Sequence, residues 1–511
     1  MPKFSKDLAQ LRQNEAALTD PWKSLGWAEV DDYLNRIVNG LMALDLTPEQ
    51  RVAVFAENAA ETALANLGGL IAGVSVTPVN FHLTAEEAAY QIGNANTAVL
   101  FVDAVTADRG VSAAQMAGVK TVIGWGDDQK NIINFDRWLT DQSEEPCPED
   151  QVPLPNLLYT SGTSGRPKAV ELPPTMFAGG ATVAEHLTLL RDHPLASRGR
   201  HLVTGPMYHT GPLSGARLLA AGTPSVILGR FDAEKTLAAI ERHNIGSSVM
   251  VPTHFIRMLA LPNEVRAKYD ISSLQRVHHT GARCPVEVKR AMINWFGPVL
   301  VEAYGATEVG TTNSLDSHEW LAHPGSVGRA QPPFTAMILD EERNEVAPGT
   351  EGLLCFTDAT GRGPIYYKDA AKTAESYVLP GVFTLGEVGY MDADGYVYIT
   401  DRVSDMVVSG GVNIYPAEAE QVLINCPHIA DVACVSAPHS ELGEELVALI
   451  VPTNKLAPPN SETVIEWCRD RLSAYKCPRR VELCDDLGRN ALGKLNKRAL
   501  KARFWPEMTK T

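Results

Sequence analysis

One segment of the sequence, YTSGTSGRPK (residues 159–168), is rich in glycine and hydroxyl residues. It follows the short apolar run 154–159, which predicts a strand that ends where the segment begins. Small residues let successive backbone N–H groups point into one concavity, which suits an anion, while the hydroxyls add donors and Lys168 adds positive charge. The segment is not a Walker A loop, because its glycines are too close together and Pro167 precedes the lysine. We therefore predict an anion-binding loop of another type.

Further segments that combine charged, aromatic and glycine residues follow this loop in order. They are PMYHTGP (206–212), YGATE (304–308), LGEVGY (385–390), DR (401–402) followed by SGGVNIYP (409–416), and NALGK (490–494). Together with the loop they resemble the motifs of the acyl-adenylate-forming superfamily, which includes acyl-CoA synthetases, aryl-CoA ligases, luciferases and peptide-synthetase adenylation domains. The N-terminal stretches WAEVDDYLNRIVNGL and RVAVFAENAAE also look family-like, so the resemblance covers nearly the whole chain. The motifs come closest to those of acyl- or aryl-CoA ligases.

This resemblance implies an AMP-forming ligase with three substrates: a carboxylic acid, ATP and coenzyme A. With Mg²⁺, the enzyme would form an acyl-adenylate, release pyrophosphate, and then pass the acyl group to the thiol of coenzyme A with release of AMP. The first step brings two anions together, so catalysis depends on positioning and charge stabilisation. A bridging Mg²⁺ needs few protein carboxylates, and the resemblance assigns that position to Glu308. It assigns catalytic roles to Lys494, Glu308, Thr160 and His209.

The other site residues follow from their positions in or near these motifs and in a further family-like segment, TGARCP (280–285). The resemblance implies a nucleotide site made of Thr160, Ser161, Gly162, Thr163, Ser164, Gly165, Lys168, Gly281, Ala282, Arg283, Glu302, Ala303, Tyr304, Gly305, Thr307, Glu387, Arg402 and Lys494. It implies an acyl pocket bordered by His209, Thr210, Pro252, Thr253, His254, Phe255 and Gly281. It places the hinge and the approach of coenzyme A at Ser404, Ser409, Gly410 and Gly411.

Two of these residues depart from the family pattern. The family usually carries aspartate where this chain has Glu387, which keeps the charge but adds a methylene to a side chain that would accept hydrogen bonds from the ribose hydroxyls. Hinge positions in the family are commonly Asp or Lys, whereas this chain has Ser404. The change at Glu387 leaves open a nucleotide-binding protein with impaired turnover.

The acyl acceptor and the acid are less well specified than the nucleotide. The loop SGGVNIYP resembles that of CoA ligases more than the RGxRIE typical of peptide-synthetase domains, and no carrier domain follows the lysine motif. Coenzyme A is therefore favoured, with a carrier protein as the alternative; luciferase-like oxidation is disfavoured. Fatty, aryl and bulky alicyclic acids all stay open. Many members of the superfamily dimerise, which leaves a homodimer open as well.

Composition excludes several other classes of protein. The formal net charge of −16 argues against binding to nucleic acid and to anionic membrane surfaces. The 8 cysteines are scattered without a CxxC pair, which predicts reduced and mostly buried thiols rather than a zinc site. The N-terminus lacks the apolar stretch of a signal peptide, and no segment is apolar enough for stable membrane insertion, so we expect a cytoplasmic protein.

The patterns along the chain predict an α/β protein with two domains. Strands at 51–55, 97–102, 119–123, 201–204, 224–228 and 248–251 alternate with helices at 27–44, 59–72 and 233–243, the last with Asp232 as its N-cap. This alternation indicates stacked αβ lobes with mainly parallel sheets. After Asp401 a glycine turn, helices at 417–425 and 461–472, and strands at 432–436 and 446–451 indicate a small, mobile α+β domain. We expect domains at 1–402 and 403–511.

Overall fold

The computed structural model describes residues 7–8, 10–126, 130–160, 167–174, 176–177, 179–282, 284, 286–402, 407–414, 416–488 and 497–505. The strands are β1 (Ala16–Thr19), β2 (Ser24–Gly26), β3 (Arg51–Phe55), β4 (Val76–Pro78), β5 (Thr97–Asp103), β6 (Thr121–Trp125), β7 (Ile133–Asn134), β8 (Leu157–Thr160), β9 (Lys168–Glu171), β10 (Arg200–Val203), β11 (Ser225–Ile227), β12 (Ile245–Met250), β13 (Arg276–His279), β14 (Leu300–Ala306), β15 (Gly310–Asp316), β16 (Arg329–Ala330), β17 (Phe334–Leu339), β18 (Gly352–Asp358), β19 (Tyr377–Leu379), β20 (Val382–Met391), β21 (Val397–Arg402), β22 (Val407–Ser409), β23 (Val412–Ile414), β24 (Ile429–His439), β25 (Gly443–Pro452) and β26 (Arg480–Leu483).

The helices are α1 (Trp27–Met42), α2 (Ala60–Ile71), α3 (Ala85–Asn94), α4 (Ala107–Ala117), α5 (Phe135–Thr140), α6 (Val183–Arg191), α7 (Thr210–Ala220), α8 (Ala233–His243), α9 (Pro252–Leu259), α10 (Asn263–Arg266), α11 (Val286–Phe296), α12 (Ser317–Ala322), α13 (Ala370–Glu375), α14 (Pro416–Leu423), α15 (Ser461–Arg469) and α16 (Lys497–Lys501). A single turn of 3₁₀ helix spans Ala474–Lys476.

Two αβ lobes carry mainly parallel sheets, as the alternation of strands and helices predicts. The first sheet has the order β4-β3-β5-β6-β7 with parallel pairing throughout. The second has the order β16-β15-β14-β13-β12-β10-β11-β1-β2 and is parallel from β1 through β14. Strand β3 is buried along its whole length, because helices cover both faces of such a sheet.

Local sequence signals set the ends of several of these elements. Helix α8 has the predicted bounds: the side chain of Asp232 accepts a hydrogen bond from the backbone N–H of Lys235, and Asn244 ends the helix in a left-handed conformation. Helix α9 follows β12 at once, with Pro252 at its first position, where proline costs no hydrogen bond. Helices α8 and α9 therefore begin after β11 and β12, two strands of the second sheet that are separated by β10.

A third, antiparallel sheet was not predicted. It has the order β17-β18-β20-β19, with β21 paired to β20, and packs its own core of Phe334, Leu354, Phe356, Phe383 and Val397. Several of its strands are only partly buried, so the sequence lacks the clear apolar runs of the parallel strands. This sheet carries two of the predicted nucleotide ligands.

The C-terminal part is the expected α+β unit. Its sheet has the order β23-β22-β25-β24, with β26 parallel to β25, and α14 and α15 pack on it around a core that includes Val407, Leu423, Leu446 and Val464. The predicted fold class, a large N-terminal α/β part with a smaller C-terminal part, is confirmed.

The cysteines are reduced and mostly buried, as predicted. Every cysteine is free, and all except Cys484 are buried. Among the residues that the structure describes, none of the helices has the length and apolarity to cross a membrane.

Candidate active site

The glycine and hydroxyl loop joins two paired strands. Thr160 ends β8 and Lys168 begins β9, and the two residues pair across this antiparallel hairpin. The intervening Ser161, Gly162, Thr163, Ser164 and Gly165 lie outside the described residues. The hairpin therefore fixes both ends of the predicted phosphate loop.

The end of the hairpin meets the carboxylate of Glu308. Thr160 Oγ1 donates a hydrogen bond to Glu308 Oε1 over 3.3 Å, and the hydroxyl of Tyr366 donates to the same oxygen over 3.0 Å. Glu308 is partly buried, and these two donors orient its carboxylate. The hydrogen bond from Thr160 to Glu308 joins two of the sequence motifs. Nothing in the sequence indicated that Tyr366 contributes to the site.

Lys168 also has a partner that the sequence did not indicate. Its Nζ lies 2.5 Å from Asp369 Oδ2, and Asp369 in turn caps the first turn of α13. The hydrogen bond from Lys168, followed by that from the backbone N–H of Lys372, lowers the pKa of Asp369. The lysine is thereby held beside the loop rather than extended into solvent.

The YGATE motif lies at the end of β14, at the carboxyl edge of the second sheet. The hydroxyl of Tyr304 donates a hydrogen bond to Glu387 Oε2 over 2.8 Å. Ala303, Gly305 and Thr307 lie beside it and keep part of their surface exposed. The carboxyl edge of a parallel sheet is where ligands of α/β proteins usually bind.

Glu302 precedes the YGATE motif, and the resemblance placed it in the nucleotide site, but its side chain forms an internal ion pair. Its Oε2 lies 2.5 Å from Lys289 Nζ and 3.6 Å from His279 Nε2, and all three side chains are buried. Burial raises the pKa of Glu302 and lowers that of Lys289, although each charge opposes the shift of the other. The carboxylate thus ties β14 to α11, which leaves the backbone of Glu302 for any contact with a nucleotide.

Glu387 and Arg402 lie opposite each other in the antiparallel sheet. Glu387 on β20 pairs in register with Arg402, the last residue of β21. The Glu387 side chain is buried. Although it is one methylene longer than the aspartate that the family usually carries, its carboxylate accepts a hydrogen bond from Tyr304. The side chain of Arg402 lies outside the described residues, but the register brings its backbone beside the predicted ribose ligand.

The predicted acyl residues lie where parallel strands give way to helices. His209 is the N-cap residue of α7, and Thr210 is the first residue of that helix. His209 keeps exposed surface, although the nearby protein desolvates its ring. Desolvation there, assisted by His82, lowers the pKa of His209 to about 4. The ring is therefore neutral near pH 7.

Helix α9 supplies the other side of this region. Pro252, Thr253 and His254 are buried in its first turn, and the His254 ring stacks on Phe231 with centroids 3.9 Å apart. Phe255 has no exposed surface and packs edge-on against His279, so its side chain belongs to the core rather than to the wall of a pocket.

Gly281 and Ala282 follow β13 and complete the edge of the second sheet. Gly281 has a φ of +86°, which L side chains rarely adopt, and a Cβ atom there would lie 3.6 Å from Val251 Cγ1. Arg283 lies outside the described residues. The exposed backbone at Gly281 leaves room for a flat group to approach closely.

The glycine turn of the C-terminal part reaches the same edge. Gly410 and Gly411, with φ of +60° and +81°, form the tight turn between β22 and β23. A Cβ atom on Gly411 would lie 3.1 Å from Val251 Cγ2, just before α9. Ser409 is buried and pairs with Gly443. The predicted hinge residue Ser404 and the predicted catalytic residue Lys494 lie outside the described residues.

A cluster of charges between the two parts of the chain was missed by sequence reasoning. Lys476 Nζ lies 3.0 Å from Glu87 Oε1 and 2.6 Å from Glu418 Oε2, and Ser473 donates a hydrogen bond to Glu87 over 2.6 Å. Tyr475 accepts a hydrogen bond from Asn80 over 3.0 Å. No local pattern could reveal this cluster, because its members come from opposite ends of the chain.

Comparison with known proteins identifies the family to which these motifs belong. Residues 5–363 match the AMP-binding enzyme family, and residues 418–494 match the AMP-binding enzyme C-terminal domain. The chain belongs to the AMP-binding enzyme family. The resemblance inferred from the motifs is thereby confirmed.

The relatives are ligases that differ in the acid and in the acceptor. The chain is 30% identical to an indoleacetate–CoA ligase of Aromatoleum aromaticum, with 96% of this chain and 95% of the relative covered. It is 29% identical to a feruloyl-CoA synthase of an Amycolatopsis species, with 97% of each covered, and 29% identical to the fatty acid–[acyl-carrier-protein] ligase ScoC of Streptomyces coeruleorubidus, with 97% and 95% covered. These relatives confirm the predicted enzyme class, an AMP-forming acid–thiol ligase.

Solved structures confirm the fold of this AMP-binding enzyme. The amide bond synthetase McbA from Marinactinospora thermotolerans matches with a TM-score of 0.83 at 24% identity, over 96% of this chain and 97% of that one. A double mutant of the o-succinylbenzoate CoA synthetase from Bacillus subtilis, bound to a product analogue, matches with 0.79 at 23% identity over 98% of each chain. The same synthetase in complex with its acyl-adenylate intermediate gives 0.64 at the same identity and coverage.

Proposed function

We propose that this protein is an ATP- and Mg²⁺-dependent ligase that converts a carboxylic acid to an acyl-adenylate and then to an acyl-CoA thioester. The observation that carries the proposal is the hydrogen bond between Thr160 and Glu308. It joins the predicted phosphate loop to the predicted metal ligand across 148 residues of sequence. The relatives named for CoA thioesters support coenzyme A as the acceptor.

In the first step a carboxylate oxygen of the acid attacks the α-phosphorus of ATP, and pyrophosphate leaves. The loop that ends at Thr160 and Lys168 would hold the phosphates, while Tyr304 and Gly281 would border the adenine and Glu387 the ribose. Such catalysis consists of positioning and electrostatic stabilisation, so it needs no general base, and the neutral His209 fits a steric role between acid and nucleotide.

The donor set at Glu308 fits Mg²⁺ shared with a nucleotide. In the described ranges, no group of three or more histidine, cysteine, aspartate or glutamate side chains could hold a metal ion on its own. Mg²⁺ is bound by few carboxylates when phosphates and water supply the other oxygens. Glu308 would hold the ion, which would neutralise charge on the phosphates.

In the second step the sulfur of coenzyme A attacks the acyl carbon, and AMP leaves with the bonding electrons. The turn at Gly410 and Gly411 lies against Val251, beside the start of α9, and its small residues suit the approach of a thiol on a narrow arm. We propose that the C-terminal domain, residues 403–511, turns at Ser404 between the two steps. Lys494 would enter the site only for the first.

The proposal is tested by ATP–pyrophosphate exchange over a panel of acids, followed by thioester formation with coenzyme A. We expect exchange that requires both an acid and Mg²⁺. Glu308→Gln should lower exchange by about 100-fold, as expected when a group that stabilises developing charge is lost. Glu341→Gln, which removes a carboxylate from an exposed turn, is the matched control and should change nothing. Absence of exchange over a broad panel would refute the proposal.

A second candidate, acyl transfer to a carrier protein, is favoured by the relative ScoC. Exchange with a thioester product on holo-carrier protein but none on coenzyme A would establish it. Binding of ATP without exchange, restored by Glu387→Asp, would instead identify a nucleotide-binding protein with impaired turnover.

A further inference from the structure

His254 is a buried imidazole whose ring nitrogens form no hydrogen bond with any residue that the structure describes. Its side chain lies in the first turn of α9 and the residue is 8% exposed. Nδ1 is sealed from solvent without a hydrogen-bond partner in the described structure. Nε2 is not sealed in this way, and no described residue forms a hydrogen bond with it. Buried polar atoms are nearly always paired, so an unused imidazole at a strand end calls for a partner from outside the chain.

The position of His254 places it beside the proposed acyl group. Strands β10 and β12 are parallel neighbours, with Val203 opposite Val249. The chain from β10 leads to His209, and the chain from β12 leads directly to His254, so both histidines lie at the same edge of the sheet. A Cβ atom on Gly205, midway between β10 and His209, would lie 3.9 Å from His254 Cε1.

The surroundings make His254 a neutral hydrogen-bonding group. Desolvation, followed by the charge of Arg257, lowers the pKa of His254 to about 3. A neutral imidazole carries one N–H donor and one acceptor nitrogen. An orphaned buried N–H is rarer in proteins than an under-satisfied acceptor, so the tautomer that leaves Nδ1 as the bare acceptor is favoured. Nε2–H is then the group available to a ligand.

We propose that His254 selects the acid by donating a hydrogen bond from Nε2–H to a carbonyl oxygen on its hydrocarbon frame, so that the substrates are oxo acids. This inference rests on the proposed function. Phe231 covers one face of the ring, and Pro212 adjoins Gly205 close to the ring, so apolar side chains flank the imidazole. An apolar acid with one carbonyl oxygen would pack against these apolar side chains and accept the hydrogen bond from the N–H. The matching deoxo acid would leave the N–H without a partner.

The test uses pairs of acids with one skeleton, such as 3-(4-oxocyclohexyl)propanoate and 3-cyclohexylpropanoate, together with chain oxo acids and their deoxo analogues. The readout is kcat/KM for acid-dependent pyrophosphate release. The wild type should prefer the oxo member of a pair by about 10-fold, the worth of one well-placed hydrogen bond. His254→Phe should abolish the preference by slowing the oxo acid alone, and His254→Gln, which keeps an N–H donor, should restore part of it.

Other results would overturn the inference. Equal kcat/KM for oxo and deoxo acids in the wild type would show that His254 only packs against its neighbours. An equal loss of kcat/KM for both acids in His254→Phe would show the same. His318→Phe, the same substitution at an exposed site, should leave both acids unchanged. Exchange with both kinds of acid at equal rates defeats this inference alone, whereas no exchange with any acid defeats the proposed function.

Discussion

The hydroxyl of Tyr304 donates a hydrogen bond to the buried carboxylate of Glu387 over 2.8 Å. The two residues come from different sheets, Tyr304 from the mainly parallel one and Glu387 from the antiparallel one. The bond therefore couples the proposed adenine and ribose contacts across a boundary between sheets.

Tyr304→Phe should weaken ATP binding without affecting the acid. Loss of a hydrogen bond to a charged group should raise KM for ATP by about 10-fold, while KM for the acid and kcat stay within about two-fold. Initial rates of acid-dependent pyrophosphate release give these constants. Tyr390→Phe is the control, because Tyr390 lies on the same strand as Glu387 but stacks on Tyr398. An equal rise in both KM values would contradict a nucleotide-specific role.

Gly411→Leu should damage thioester formation more than adenylation. A side chain at this residue meets Val251 and must adopt a φ of +81°, so it should displace the turn from the proposed thiol path. We expect CoA-dependent thioester formation from a supplied acyl-adenylate to fall by about 100-fold, with pyrophosphate exchange within about three-fold of wild type.

Gly349→Leu separates backbone strain from this effect. Gly349 has a φ of +82°, but a Cβ atom there meets nothing within 4 Å. The control should therefore spare both half-reactions. If Gly411→Leu reduced exchange and thioester formation alike, the assignment of the turn to the thiol step would be wrong.

Lys476→Met should destabilise the protein, and more strongly as pH rises. Burial alone would lower the pKa of Lys476, but the carboxylates of Glu418 and Glu87 outweigh it and raise the pKa. A raised pKa means that the lysine stabilises the fold below its unfolded pKa near 10.5 and loses this effect as pH rises through the folded value. Removing it leaves two carboxylates facing each other, at a cost of about 3 kcal/mol.

The measurement is thermal unfolding between pH 5 and pH 8. For Glu87 the opposing effects of burial and of Lys476 leave the pKa lowered, so in the wild type this carboxylate contributes stability above pH 4.5. The variant should gain Tm as pH falls, because protonation relieves the repulsion between the carboxylates. Lys455→Met, which removes an exposed ion pair with Asp485, should shift stability by less than about 0.5 kcal/mol. A Tm of the Lys476 variant that is independent of pH would exclude the buried cluster as the cause.

His209→Phe should retain adenylation, because His209 acts as a neutral ring. Its pKa of about 4 lies below its ordinary value, so the imidazole does not titrate between pH 5.5 and pH 8. We expect kcat/KM within about five-fold of wild type and a pH profile of the same shape over this range. His209→Ala, which removes the ring, should cost more. Loss of an ionisation from the profile of His209→Phe would show that the imidazole does transfer a proton.

Local signals in the sequence predicted much of the fold and the order of the motifs. The Asp232 cap and its apolar periodicity were sufficient for α8, and the two glycines were sufficient for the turn between β22 and β23. These features depend on neighbours in the chain, which a sequence displays directly.

The contacts that orient the site could not be predicted in the same way. Tyr366 and Glu308 are 58 residues apart, Lys168 and Asp369 are 201 apart, and Lys476 and Glu87 are 389 apart. Nothing in the spacing of these residues says that they meet, because their approach depends on how the sheets pack. Similarly, the membership of Phe255 in the core followed from three-dimensional packing rather than from its place in a motif.

The two halves of the proposed site are carried by different segments of the chain, although β10, β12 and β14 belong to one sheet. Thr160, Tyr304 and Glu387 are held by the β8–β9 hairpin, β14 and β20, whereas His209 and His254 lie at the starts of helices that follow β10 and β12. Substitutions at the starts of those helices can therefore accumulate without disturbing the residues proposed to bind ATP. A scaffold divided in this way can acquire a new acid preference through a few changes in one region, which makes the turns after β10 and β12 the natural targets for redirecting the enzyme.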